Sequence, residues 1–234
     1  MEQPTDLSLR IIARIHTDFA TKFGVPRQSG LVAPLQAEIV FEPAYRNADA
    51  VRGLDEFSHL WLIWQFSEAV RERWSPTVRP PRLGGNRRVG VFATRSPFRP
   101  NAIGLSSVAL ERVELTADRG PVLHVLGADL MDCTPILDIK PYLPYTDCHP
   151  EASGGFTDHT ARQTLQVEFP AELLARVPEA RREALCGVLA CDPRPPYQND
   201  PERVYGFGFA GLEIAFRAAD GVLTVVDVRP AQEG

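Results

Sequence analysis

Eight arginines and no lysine fall between Arg71 and Asn101, with Glu72 the one acid among them, in a chain whose formal net charge is −5. Positive charge gathered into one stretch of an acidic protein is suited to meet an anion, phosphate above all. Guanidinium groups grip planar anions through paired hydrogen bonds, which an ammonium cannot do. The stretch also holds Pro80-Pro81, Gly84-Gly85, Pro97 and Pro100, so it is expected to be ordered loop around one short strand, Val89–Thr94. The chain uses arginine throughout, with 23 Arg against Lys22 and Lys140. The solvated surface of an arginine-rich protein is therefore the competing reading.

Four other stretches could carry chemistry. In KFGVPRQSGL, Lys22–Leu31, the polar residues Pro26, Arg27 and Gln28 sit between glycines. Such a loop exposes backbone donors and acceptors that can read the edge of an adenine, and an ordinary surface loop is the alternative. RGLDEFSHLWLIWQF, Arg52–Phe66, places His59 where an apolar strand begins, as a structural or a site histidine. In DLMDCTPILDIKPYLPY, Asp129, Asp132, Asp138 and Lys140 surround a proline-marked turn. Carboxylates there can hold an amino or ribose group, or cap turns. The rigid DPRPPY, Asp192–Tyr197, offers an acid, an arginine and an aromatic that can grip phosphate and stack on a base.

Two further patterns are excluded. Gly206–Gly211 matches G-x-G-x-x-G, but LEIAFR follows with strand alternation and no helix, so no dinucleotide phosphate has a helix N-terminus to sit on. Glycines of a hairpin are the expectation. The five histidines and four cysteines fit no metal-ligand spacing, so no metal site is expected and the thiols read as reduced and structural. The polar, acidic start MEQPTDLSLR does not read as a secretory signal, and no apolar run reaches the length of a membrane span. A cytoplasmic protein is expected.

The elements that must position these residues read mainly as short strands. Apolar or alternating runs occur at Leu9–Ile15, Glu38–Phe41, Leu60–Phe66, Arg88–Ala93, Ser107–Leu115, Val122–Leu126 and Ile136–Lys140. So many strands without a long helix predict a β-barrel or sandwich over residues 1–150. HPEASGGFTDH, His149–His159, reads as a linker. Residues 160–234 then change character. A strand is expected at Leu165–Phe169, helix over Ala171–Ala190 interrupted at Pro178, as one kinked helix or two short ones, and strands at Arg203–Phe209, Leu212–Arg217 and Val222–Val228. This predicts a small α+β C-terminal domain.

Taken together, KFGVPRQSGL, RGLDEFSHLWLIWQF, VRPPRLGG, GVFATRSPFRPNAIGLS, DLMDCTPILDIKPYLPY and DPRPPY resemble the TrmO/TsaA (YaeB-like) family. The resemblance runs from about Arg10 to Tyr197, most specifically over Phe23–Tyr145, and Cys133 stands where the family usually has glycine. It implies an S-adenosyl-L-methionine (SAM)-binding, non-Rossmann β-barrel followed by a small C-terminal domain. The implied activity is methylation of the exocyclic N6 of threonylcarbamoyladenosine at tRNA position 37, by a homodimer with cofactor sites near its interface. By position in the family's motifs, the cofactor would be held by Pro26, Arg27, Gln28, His59, Leu60, Arg95 and Leu105. The turn residues Asp129, Leu130, Met131 and Asp132 would lie beside it. Arg79, Arg82, Arg87, Arg88, Arg99 and Arg194 are candidates for the tRNA, and Asp192, Arg194 and Tyr197 for the modified nucleoside. Asp192, Tyr197 and Asp129 are the candidate proton acceptors. A non-catalytic RNA- or nucleotide-binding barrel is the alternative.

Overall fold

The computed structural model describes residues 7–160, 164–195, 198 and 200–231. Its strands are β1 (Ala13–His16), β2 (Gln36–Phe41), β3 (His59–Gln65), β4 (Thr77–Val78), β5 (Val89–Gly90), β6 (Ile103–Thr116), β7 (Gly120–Leu126), β8 (Thr134–Pro141), β9 (Gln166–Glu168), β10 (Tyr205–Phe209), β11 (Leu212–Ala219) and β12 (Val222–Pro230). Three α-helical segments join them: α1 (Pro144–Asp147), α2 (Ala171–Leu174) and α3 (Glu179–Ala190).

Six strands close a barrel in the order β1-β2-β7-β6-β3-β8, all pairs antiparallel. Closure leaves no open edge. Along β3 the side chains alternate, with Leu60, Leu62 and Trp64 buried and His59 exposed. The inward set joins Ile15, Ile39, Val108, Leu123, Val125 and Ile136 in one core. Gly104 on β6 lets the Trp64 ring lie flat on the backbone, because a Cβ there would stand 2.3 Å from the indole.

The arginine-rich stretch is not part of the barrel. The run expected as a strand at Arg88–Ala93 forms only the two-residue β5, which pairs with β4 in a separate ribbon. A 3-10 turn at Val91–Ala93 follows it. β4 is bounded by Pro76 and Pro80, which lack the donors that a longer ladder needs. The first expected strand also starts later, at Ala13.

The second core lies under a four-stranded sheet ordered β10-β11-β12-β9, with β9 parallel to β12. α2 ends at Leu174 and Pro178 caps the start of α3, so of the two expected arrangements the two short helices are the one that forms. Leu185, Val188 and Leu189 of α3 pack against Phe209, Phe216 and Leu223. The glycine pattern at 206–211 is a hairpin, with Ala210 and Gly211 at φ 51 and 73 in its turn.

Residues 17–35 belong to the barrel in sequence and to the second core in packing. Phe19, Val32 and Leu35 are buried among the C-terminal side chains. Phe19 meets Phe209 edge-on at 5.3 Å, the Ala210 amide donates to the Asp18 carbonyl at 2.9 Å, and Arg181 pairs with Asp18 at 3.0 Å. Gly24, at φ 84, brings the backbone so close to Phe207 that a Cβ would lie 2.3 Å from the ring. The Phe19→Ala protein should lose about 3–5 kcal/mol of unfolding free energy, the usual cost of emptying a buried aromatic site. Urea denaturation followed by circular dichroism measures this.

Candidate active site

At one rim of the barrel a chain of polar groups rises from the core. Trp64 Nε1 donates to Ser106 Oγ at 3.0 Å, and Ser106 Oγ donates to Asp129 Oδ1 at 2.6 Å. Ser106 faces inward on β6 and is buried, so the hydroxyl is fixed in orientation by its two partners. Burial pushes the Asp129 carboxyl above the ordinary aspartate range. The Ser106 hydroxyl, the amides of Asp129 and Ser29 and the Arg95 guanidinium only partly offset this. Arg95 also donates to Gln28 Oε1 at 2.5 Å. Gln28, Ser29, Arg95, Ser106 and Asp129 thus converge, from the 17–35 loop, the arginine-rich stretch, β6 and the turn after β7.

Two anchors hold the loop there. Gly127, at φ 76, accepts from the Gly30 amide and donates to the Leu35 carbonyl, both at 2.8 Å. Asp132 Oδ1 accepts from the Thr17 amide at 3.1 Å and lies 3.2 Å from His16 Nδ1, while the Asp132 amide donates to the Phe19 carbonyl at 2.8 Å. Leu130 is buried, and its carbonyl accepts from Thr17 Oγ1 at 3.1 Å; the Met131 carbonyl accepts from Thr134 Oγ1 at 2.8 Å. Asp132 and Leu130 therefore fix the turn, and Asp129 is the carboxyl left facing the rim. Cys133 keeps a left-handed backbone at φ 60, the conformation glycine adopts most readily. Its Sγ lies 3.3 Å from Asp132 Oδ2, a contact that raises the thiol pKa. His16, Asp132 and Cys133 are thereby brought together, within 4.8 Å, from positions far apart in sequence.

The remaining residues expected at a cofactor divide between two faces. Pro26 is buried, and Arg27 is exposed beside Gln28, with no carboxylate partner among the described residues. Leu60 is buried in the barrel core. His59 and Leu105 lie on the outer surface. Leu105 stands opposite Ile63 on β3, one residue from the inward Ser106 but on the other face. His59 lies four positions further along that strand, about 13 Å away.

A second concavity of about 280 Å³ opens beside the DPRPPY loop. Phe23, Pro193, Pro195, Arg203, Tyr205 and Phe207 are among its walls. The Tyr205 hydroxyl and Gln198 Oε1 are buried there without hydrogen-bond partners among the described residues, and the Arg203 guanidinium sits 5.4 Å over the Tyr205 ring. Arg194, expected at the tRNA and the modified nucleoside, is paired with Asp192 of the same loop. Its Nε and Nη2 each bind one Asp192 oxygen at 2.8 Å, which raises the guanidinium pKa and closes the loop on itself, with Asp192 at φ 55. Tyr197 lies outside the described residues. Sequence reading passed over Ser106, Gln198, Arg203 and Tyr205. A lone hydroxyl at an inward strand position was the available signal for Ser106.

The arginine-rich stretch stays electrostatically open. Arg14, Arg112, Arg119, Arg181 and Arg194 each have a carboxylate partner. Arg79, Arg87, Arg88, Arg95 and Arg99 have none among the described residues. Arg88 donates to Thr77 Oγ1 at 3.2 Å, and Arg99 ties its own turn through the Thr94 carbonyl at 3.1 Å. Arg82 lies on the 3-10 turn Pro81–Leu83.

Asp129 makes a pH prediction. Its folded-state pKa is raised, so its contribution to stability is complete below the unfolded value of about 3.9 and is lost as pH rises through the folded value. A side-chain amide at this position cannot titrate. The stability of the Asp129→Asn protein relative to the parent should therefore climb between about pH 4 and pH 7. Urea unfolding across that range reads the difference, and a constant offset would contradict it.

Comparison with known proteins finds matches to both parts of the chain. Residues 14–148 match the tRNA-methyltransferase O N-terminal domain, and residues 162–231 match the TrmO C-terminal domain. A protein of Escherichia coli K12 named tRNA (adenine(37)-N6)-methyltransferase is 42% identical over 232 residues, covering 94% of this chain and 96% of that one. An Eikenella corrodens protein of the same name is 46% identical over 179 residues, 76% of this chain and 99% of the other. A crystal structure of TrmO from Pseudomonas aeruginosa aligns over 96% of this chain and 100% of its own, with TM-score 0.76 and 32% identity. Matched across both its barrel and its C-terminal sheet, the chain belongs to the tRNA-methyltransferase O family.

Proposed function

We propose that this protein is a SAM-dependent methyltransferase acting on tRNA, and that it methylates N6 of adenosine 37 when that base carries the threonylcarbamoyl group. The convergence of Gln28, Arg95 and Asp129 on one rim carries this reading. A carboxyl that burial has left short of positive charge gains most from a cation placed beside it. An arginine bonded only to a neutral amide is suited to a carboxylate. SAM offers both, in its sulfonium or ammonium and its carboxylate. Similar proteins from Pseudomonas aeruginosa and Pyrococcus abyssi carry names that specify SAM dependence or binding. A non-catalytic barrel would have no use for such a pair.

SAM supplies an already activated methyl group. The chain must align the acceptor, exclude water and accept a proton. The acceptor nitrogen belongs to a urea-like group and is a poor nucleophile, so its proton must be taken or polarised. Asp129 is the candidate we assign to that role, because burial raises the basicity of its carboxylate. No metal enters this scheme.

The cavity beside Asp192–Arg194 is suited to the modified nucleoside. It has aromatic walls and two buried polar atoms that lack partners among the described residues. Arg203 is the cation at this cavity without a carboxylate partner among the described residues, and we assign it to the threonyl carboxylate. Residues 1–150 act in this reading as the catalytic barrel and 160–234 as the substrate-facing domain. A homodimer is supported by the outer barrel surface, where Ile103 and Leu105 are 36% and 52% exposed. It would let one subunit's His59 and Leu105 serve the partner's rim. Among the described residues no helix is long and apolar enough to cross a membrane. We assign the protein to the cytoplasm with its tRNA.

Calorimetric titration with SAM tests the cofactor assignment. The Arg95→Ala protein should bind at least about tenfold more weakly, the loss expected for a hydrogen bond to a charged group. No binding to the unaltered chain at millimolar SAM would overturn it. The Arg203→Ala protein should keep its SAM affinity and show a KM about tenfold or more higher for tRNA bearing threonylcarbamoyladenosine. An unchanged KM would remove Arg203 from the assignment.

A further inference from the structure

Three large aromatic side chains of the arginine-rich lobe stand in water. Trp74, Phe92 and Phe98 are 51%, 72% and 39% exposed, and neither hydrophobic core includes them. They are grouped rather than scattered. Trp74 and Phe92 lie 6.1 Å apart with their planes at 33°, and the Arg71 guanidinium stacks 3.8 Å over Phe98. Arg71, Arg73, Trp74, Phe98 and Arg99 line one shallow cleft. None of these three arginines has a carboxylate partner among the described residues.

Aromatics and arginines also serve protein interfaces, but eight arginines against one acid over residues 71–101 favour a polyanionic partner. The exposed rings beside them match a flexible polyanion that carries flat π-faces. We propose that Trp74, Phe92 and Phe98, with Arg71, form a stacking platform for the unpaired bases of the RNA substrate, flanked by Arg73 and Arg99 for its phosphates. Double-stranded RNA cannot use such a platform, because its base faces are already covered by their neighbours. Phe98 and Arg99 follow Arg95 by three and four residues, and Arg95 reaches Gln28 at the rim. The platform is therefore placed to take loop nucleotides next to the one that is modified. This inference rests on the tRNA-methyltransferase reading and adds where the single-stranded loop sits.

The test uses the full chain and two RNAs: a hairpin with an unpaired loop, and a fully paired duplex of the same stem. Affinity is read by fluorescence anisotropy of the labelled RNA, and SAM affinity by calorimetry. Trp74→Ala and Phe92→Ala should each weaken hairpin binding about tenfold, the usual loss of one base stack. Both should leave duplex and SAM binding unchanged, and Trp74→Phe should restore hairpin affinity. Hairpin affinity unchanged in both alanine proteins, or an equal loss on the duplex, would overturn the platform alone. If the unaltered chain binds SAM but not the hairpin, the platform and the RNA substrate fall together. If the platform result holds and SAM does not bind, the platform stands and the methyltransferase reading falls.

Discussion

The segment 17–35 must satisfy two cores at once, and the candidate site depends on that constraint. Phe19, Val32 and Leu35 are buried with the C-terminal sheet. The same segment is hydrogen-bonded to the barrel at Gly127 and at the Asp129–Cys133 turn. Between these anchors the backbone has little freedom, so Gln28 and Ser29 are presented to Arg95 and Asp129 without an ordering cost when a ligand arrives. The C-terminal domain thus fixes a loop that serves the barrel. Gly24 marks the tightest point of that contact, where only a hydrogen fits against Phe207.

Charge is handled in opposite ways in two parts of the molecule. Across the barrel wall and α3, arginines are neutralised by neighbouring carboxylates, as in Arg119 with Glu38 and Arg181 with Asp18. In the lobe between β3 and β6 the arginines have no such partners among the described residues. Exposed pairs contribute little to stability, so the difference has little bearing on folding and much on what the surface attracts. The arginine-rich lobe adjoins the rim through Arg95, whose guanidinium bears on Asp129, a carboxyl that burial holds above its ordinary range. A polyanionic substrate and a cationic cofactor can then meet at one edge of the barrel without repelling each other.

Much of the barrel was legible because strand alternation is a local property. Leu60, Leu62 and Trp64 repeat at the spacing that puts them on one face, and the turn residues bound each run. The arginine-rich stretch misled at Arg88–Ala93, where an apolar run reads as a strand but its partner β4, bounded by Pro76 and Pro80, offers only two residues to pair with. The DPRPPY motif advertised an acid and an arginine as two separate ligands. Only the fold shows that a left-handed Asp192 turns its carboxylate onto Arg194, so that the two side chains are presented as a pair.

By itself the sequence determined the kinds of chemistry available: a basic loop for anions, a polar glycine-bounded loop, carboxylates at a turn, and no spaced metal ligands. It also determined the family, because motif residues and their order survive without coordinates. Tertiary structure alone decided which groups are used by the protein and which are left for a ligand. Asp129 and Asp132 are three residues apart and chemically the same. One is tied to the Thr17 amide, and the other sits in a desolvated niche over Ser106. Their difference arises from burial and from partners more than twenty residues away in the chain, and no local pattern encodes either.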